Sequence, residues 1–158
     1  AMIYLHGSAA SLEDGRAAAL KQLRSGKALE KFLDFVRSQG GDVSAILDDR
    51  LPAAQFQTPL LAQQSGYIQE VDAMSVGICS MLLGSGRERK EDQIDLSAGV
   101  VLKKKSGDYV QQGEPLAILY YNLAYQDRLA EASALLAKSY HYTLTQPKSV
   151  PLIAGIIR

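Results

Sequence analysis

Apolar and polar positions divide the chain into a helical first third and a strand-rich remainder. Ser11 followed three residues later by Asp14 reads as a capping-box-like start, and Leu12, Arg16, Ala19, Leu20 and Leu23 recur at helical spacing until Gly26. A second helix is predicted from about Lys27 to Gln39, with Leu29, Phe32, Leu33 and Val36 on one face and Gly40-Gly41 as its stop. Together they form a helical hairpin whose apolar stripes meet no partner within the first 50 residues, so their partner is expected upstream in a longer protein.

The stretch from Asp48 to Gln55 combines charge with Pro52, and beyond it the pattern becomes that of short strands. Two domains are therefore expected, residues 1–50 and 51–158. Strands are predicted at Phe56–Ala62 and Gly66–Val71, with Gln64-Ser65-Gly66 as the turn between them, then a short helix from Asp72 to Leu83 closed by Gly84. Next comes a polar loop, Gly84 to Asp92, whose two glycines and six charged residues carry no hydrophobic pattern. Val100–Leu102, Tyr109–Val110 and Leu116–Tyr121 read as strands separated by turns at Ser106-Gly107-Asp108 and Gln112-Gly113-Glu114. A helix from about Gln126 to Lys138 and a last strand, Tyr140–Leu144, complete the prediction. Short strands joined by glycine turns suggest a small barrel or sandwich.

Composition narrows the function classes. A chain of 158 residues allows one compact core plus an appendage, and 47% hydrophobic against 22% charged residues is the balance of a folding globular protein. Seventeen basic and seventeen acidic residues leave no net field toward nucleic acid or anionic lipid. No apolar run reaches the roughly 20 residues of a membrane span, and no signal segment opens the chain. Cys79, the single cysteine, excludes an internal disulfide and reads as a small buried side chain in a reducing, cytoplasmic setting. The abrupt apolar opening, Ala1 to Leu5, looks cut from inside a larger element.

Candidate chemistry is sparse. His6 and His141 have no Cys, Asp or Glu at ligand spacing, so no metal site is expected, and Lys103-Lys104-Lys105 reads as a solvated strand end. In the Gly84–Asp92 loop, Arg87, Arg89 and Lys90 could meet an anion, but Glu88, Glu91 and Asp92 offset them and no strand-to-helix phosphate loop surrounds them.

Val101 to Ala117, with its Gly107 and Gly113 turns, resembles one half of a biotinyl or lipoyl carrier domain, a flattened structure called a barrel-sandwich hybrid. The position of the carrier lysine corresponds to Asp72-Ala73-Met74-Ser75, where Ser75 supplies no amine for a cofactor amide. A non-catalytic biotinyl- or lipoyl-like binding or interaction module is the alternative reading. Gly66-Tyr67-Ile68, Asp72-Ala73, Gly77, Leu83 to Arg87, Lys90-Glu91-Asp92, Ile94-Asp95, Gly99 and Gly107-Asp108, in this order, resemble the C-terminal domain of pyrimidine-nucleoside and thymidine phosphorylases. Gly26-Lys27-Ala28-Leu29 to Phe32 and Gln39 to Asp42 resemble the helices that precede it.

That resemblance implies an α+β fold, with a helical hairpin from a truncated α/β domain followed by a barrel-sandwich domain with helical insertions. It implies a pentosyltransferase of pyrimidine salvage: phosphate attacks the anomeric carbon of a pyrimidine nucleoside, the base leaves, and (deoxy)ribose 1-phosphate forms. The full-length enzyme is expected to be a cytoplasmic homodimer. It needs no cofactor, takes inorganic phosphate as co-substrate, and has a monovalent-cation (K+) site formed partly near residues 5–18 to which no carboxylate is assigned. The family's phosphate loop and base-holding residues have no counterpart here, so neither catalytic nor substrate-binding residues are expected in this chain, and the chain alone should be inactive. Gly84, Gly86, Arg87, Lys90, Glu91 and Asp92 are expected to belong to a loop at the cleft mouth that orders on closure.

Overall fold

The computed structural model describes residues 1–148 and 155, which divide into two compact units, Ala1–Leu51 and Pro52–Arg158. The first unit holds four helices: α1 (Met2–Leu5), α2 (Leu12–Arg24), α3 (Lys27–Ser38) and α4 (Val43–Leu47). Helix α2 starts as its sequence dictates. The Ser11 hydroxyl oxygen accepts the Asp14 N–H at 3.0 Å, Glu13 and Asp14 occupy the positive end, and Lys21 and Arg24 the negative end. Asp42 caps α4 in the same way, through the Ser44 and Ala45 N–H groups. The short helices α1 and α4 were not predicted, because neither offers enough turns for a period to show. The apolar face of α3 remains open, with Leu29, Phe32 and Phe35 all about half exposed or more.

The second unit mixes two small sheets with helix. Its elements are β1 (Phe56–Leu61), β2 (Gly66–Val71), α5 (Ala73–Ser80), a wide π-type turn (Met81–Ser85), β3 (Gly99–Leu102), β4 (Tyr109–Val110), β5 (Pro115–Tyr121), a 3-10 segment (Leu123–Arg128), α6 (Leu129–Ser139) and β6 (Tyr140–Thr143). Both sheets are antiparallel and three-stranded, ordered β1-β5-β3 and β4-β2-β6. The registers set Phe56 opposite Tyr121, where the rings stack at 5.5 Å, and Tyr67 opposite Tyr109, where they meet edge to face at 5.1 Å. The α+β class is therefore observed, but no closed barrel forms among the described residues. The ladders end too early, since β4 is only two residues long, and single backbone bonds such as Ile68 N–H to Asp108 O (2.9 Å) and Lys103 N–H to Leu116 O (2.8 Å) take over.

One core serves both sheets. Ile68, Val110, Leu116, Leu119 and Tyr140 from the strands meet Cys79, Leu83, Ala132 and Leu136 from the helical segments. Burying a Leu or Ile side chain of this kind contributes about 1.5–3 kcal/mol. Tyr140 closes the core with a polar tie, donating its hydroxyl to Leu116 O at 2.9 Å. The one buried polar side chain among the described core residues, Ser139, donates to Leu136 O at 2.7 Å.

Two helix predictions need correction. The run from Asp72 to Leu83 is not one helix, because after Ser80 the chain widens into the π-type turn, and Gly84 turns within it at φ 106°. The predicted helix from Gln126 is preceded by the tighter Leu123–Arg128 segment and becomes regular only at Leu129. Among the described residues, no helix is long and apolar enough to cross a membrane.

Candidate functional site

The polar loop that begins at Gly84 is held firmly at its ends and loosely in its middle. At the first end, Gly84 is buried with φ 106°, and a Cβ placed on it would lie 2.5 Å from the Tyr125 ring. Only glycine allows both the backbone and that approach. Gly86 packs on Met81, its would-be Cβ falling 3.0 Å from Met81 Cγ. At the far end, Asp95 N–H returns to Gly84 O at 2.8 Å and closes the loop on itself.

The Asp95 carboxylate is the hub of this anchor. It accepts from Ser97 N–H (3.0 Å), Ser97 Oγ (2.7 Å) and the Asn122 amide. Asn122 Oδ1 in turn accepts Gln55 N–H at 2.8 Å, and Gln55 Oε1 accepts Leu123 N–H at 3.2 Å. The Ser97 hydroxyl, with Asn122 and backbone N–H groups behind it, holds the Asp95 carboxyl below the usual range against the opposing effect of partial burial.

Between these ends the structure places the predicted residues unevenly. Asp92 folds inward and accepts the Arg89 N–H at 2.8 Å and the Glu88 N–H at 3.1 Å. The amides that could have cradled a phosphate are thereby taken by an internal carboxylate. Arg87, Lys90 and Glu91 are exposed and make no side-chain hydrogen bond or ion pair among the described residues. Glu88 instead reaches across to Arg128, Oε1 to Nη2 at 3.0 Å, and Arg128 also holds Glu131 through Nε at 3.3 Å. Both residues of this bridge, with Met81, Leu82, Gly86, Asp92 and Tyr125 among others, line a cavity of about 220 Å³.

Arg128, Tyr125 and Asn122 were not singled out from sequence, and Asp95 entered only within the resemblance carried by Ile94-Asp95, with no role assigned. Asp95-Leu96-Ser97 carries a local turn signal that could have pointed to the anchor. Nothing local marks Arg128, whose partner lies 40 residues away.

The remaining candidates are structural. Asp72 caps α5, its carboxylate accepting the Met74 and Ser75 N–H groups and the Ser75 hydroxyl, so the hairpin position of a carrier lysine is occupied by a helix start. Cys79 is fully buried, and burial pushes its thiol up to about 11, which keeps it protonated and unreactive. His6 is exposed and bonds Ser8 Oγ at 2.8 Å; His141 is exposed on β6. No three His, Cys, Asp or Glu side chains converge on a metal position among the described residues. Lys104, read as solvated, is half-buried and ties two turns together, donating to Tyr109 O at 3.0 Å beside Glu114 at 3.4 Å.

Residues 67–143, which include most of the shared core and this loop, match the family described as the pyrimidine nucleoside phosphorylase C-terminal domain. The chain is 47% identical over 123 residues to a pyrimidine-nucleoside phosphorylase of Bacillus subtilis, an alignment covering 77% of this chain and 28% of that protein. It is 46% identical over 122 residues to the enzyme of the same name from Staphylococcus aureus, again across 77% of this chain and 28% of the relative. The chain thus spans little more than a quarter of these relatives' length. With that domain and those identities, the chain belongs to the pyrimidine-nucleoside phosphorylase family, of which it carries the C-terminal region.

Proposed function

We propose that this chain is the C-terminal part of a glycosyltransferase that reversibly phosphorolyses pyrimidine nucleosides to free base and (deoxy)ribose 1-phosphate. The observation that carries this reading is the identity of 46–47% sustained over 77% of the chain to enzymes of that name. In the whole enzyme a phosphate oxygen forms a bond to the anomeric carbon as the bond to the base nitrogen breaks. The base leaves with the electron pair of that bond and is protonated.

Residues 1–50 are then the last helices of the α/β phosphorylase domain, and the open apolar face of α3 supports this reading. Residues 51–158 are the family's barrel-sandwich-type domain, a reading supported by two small antiparallel sheets on one core. Neither the phosphate grip nor the base pocket lies in this chain. The loop carrying Gly84, Gly86, Arg87, Lys90, Glu91 and Asp92 frames the cleft mouth, and its exposed cations next to a pinned base support that role. The full-length protein is a cytoplasmic homodimer that needs phosphate as co-substrate and no organic cofactor. In the segment proposed to contribute to a K+ site, the carboxylates are Glu13 and Asp14, and Asp14 is engaged by the Ser11 hydroxyl at 2.8 Å. No residue here is assigned to the ion.

The test is phosphate-dependent release of thymine or uracil by the full-length protein, assayed beside this chain. Activity is expected in the full-length protein alone. Arg87→Ala in it should lower turnover without altering the fold. Release by this chain, or unchanged kinetics in Arg87→Ala, would count against the respective assignment.

A further inference from the structure

The loop between Gly84 and Asp95 is tied to the rest of the fold by contacts of two different kinds. Its ends use buried backbone and an anchored carboxylate, whereas its tip turns on local bonds to Asp92 alone. Among the described residues, the one side-chain tie from the tip to another element is Glu88 to Arg128, 3.0 Å long and spanning 40 residues. Arg128 is itself seated, since it ends the 3-10 segment that begins beside Asn122 and packs Tyr125 on Gly84, and it is braced by Glu131. Both partners of the tie line the 220 Å³ cavity.

We propose that the Glu88–Arg128 ion pair is a latch that holds the loop tip down over this cavity, with Arg128 as the positioning residue and Glu88 as the releasable arm. Both side chains are partly exposed, so the pair is weak and screenable. A weak tie on a loop with rigid ends gives a tip that opens locally while the core stays shut. With the latch broken, the segment carrying Arg87 and Lys90 detaches from the 3-10 segment, although its turn around Asp92 persists. In the whole enzyme this would set how readily the loop reaches the cleft. That consequence rests on the assignment of the loop proposed above, whereas the latch is a property of this chain and is tested on it.

The experiment is amide hydrogen exchange followed by mass spectrometry on peptides spanning residues 84–95, with core peptides from β5 as reference. Glu88→Gln should speed exchange in the tip by a factor of about two to five, the range an exposed ion pair supports. Core peptides should not change. Glu131→Gln, which touches only the helix-side brace, should leave the tip slow. The exchanged pair Glu88→Arg with Arg128→Glu should restore slow exchange, an outcome that a merely structural role for Arg128 does not provide. Salt near 1 M should reproduce the Glu88→Gln effect in the unaltered chain. Unchanged tip exchange in Glu88→Gln, acceleration spread equally into β5, or failure of the exchanged pair to restore protection would overturn the latch. None of these outcomes depends on whether the full-length protein releases a pyrimidine base.

Discussion

Gly84→Ala tests whether the loop's first end is fixed by backbone and packing together. At φ 106° and ψ −4°, an alanine must adopt a left-handed backbone that costs about 1–2 kcal/mol. Its Cβ would also lie 2.5, 2.7 and 2.9 Å from three atoms of the Tyr125 ring, so the ring has to move. Overpacking of that kind costs about 1–3 kcal/mol more. The sum is about 2–5 kcal/mol, or roughly 1–2.5 M in urea midpoint at a slope of about 2 kcal/mol/M, the middle of the range usual for small domains. Tyrosine fluorescence is a suitable probe, because of the eight tyrosines only Tyr4 lies outside the unit that contains Gly84. Gly77→Ala supplies the control. Gly77 is exposed inside α5 with nothing within 4 Å of its would-be Cβ, so alanine there should be neutral or stabilise by up to about 1 kcal/mol. A Gly84→Ala midpoint equal to that of the unaltered chain would refute the reasoning. An equal loss in Gly77→Ala would show that the effect has nothing to do with Tyr125.

Tyr140→Phe should cost about 1 kcal/mol and no more, because Leu116 O keeps the N–H groups of Lys103 (2.8 Å) and Lys104 (3.1 Å) when the hydroxyl is lost; urea unfolding measures it. Alkaline pH should destabilise the second unit through Cys79. Burial raises the folded thiol from 9.0 to about 11, so its contribution is complete below pH 9 and is lost as the unfolded chain ionises between pH 9 and 11. Unfolding midpoints at pH 8 and pH 10.5 should differ less in Cys79→Ala than in the unaltered chain, and an equal drop in both would exclude the thiol as the cause.

What the sequence revealed follows the range of the interactions. The Ser11 cap and the glycine turns that bound the short strands between Gly66 and Tyr121 depend on neighbours a few residues apart, so their pattern is written locally. The break at Ser80 was not legible, because Val76 to Leu83 is apolar apart from Ser80 and the π-type turn accompanies the packing of Gly84 on Tyr125, 41 positions later. The same holds for the site. The charged loop announced itself by composition, but the residues that hold it, Asn122 and Arg128, look from sequence like ordinary positions at the start of a helix. The glycine turns suggested a small barrel or sandwich, and no closed barrel forms among the described residues for a related reason. Turn chemistry fixes where strands reverse, while the length of each ladder is decided by partners distant in the chain.

These two classes of contact also explain why the loop can be charged at all. Three cations and three anions in consecutive positions, Arg87 to Asp92, could not fold into a core, and a tip held by buried contacts would have to desolvate them. The chain avoids this by placing every buried contact at the two ends: Gly84 beneath Tyr125, and Asp95 among Ser97 and Asn122. The tip then needs only one inward carboxylate, Asp92, to set its turn and one ion pair, Glu88 with Arg128, to set its position. Arg87, Lys90 and Glu91 are left in water, where their charge costs nothing in the folded state and remains available to whatever faces the loop. A neutral tip would have been easier to pack and harder to move. On the proposed reading, the balance of charges is therefore what allows this loop to close without ceasing to open.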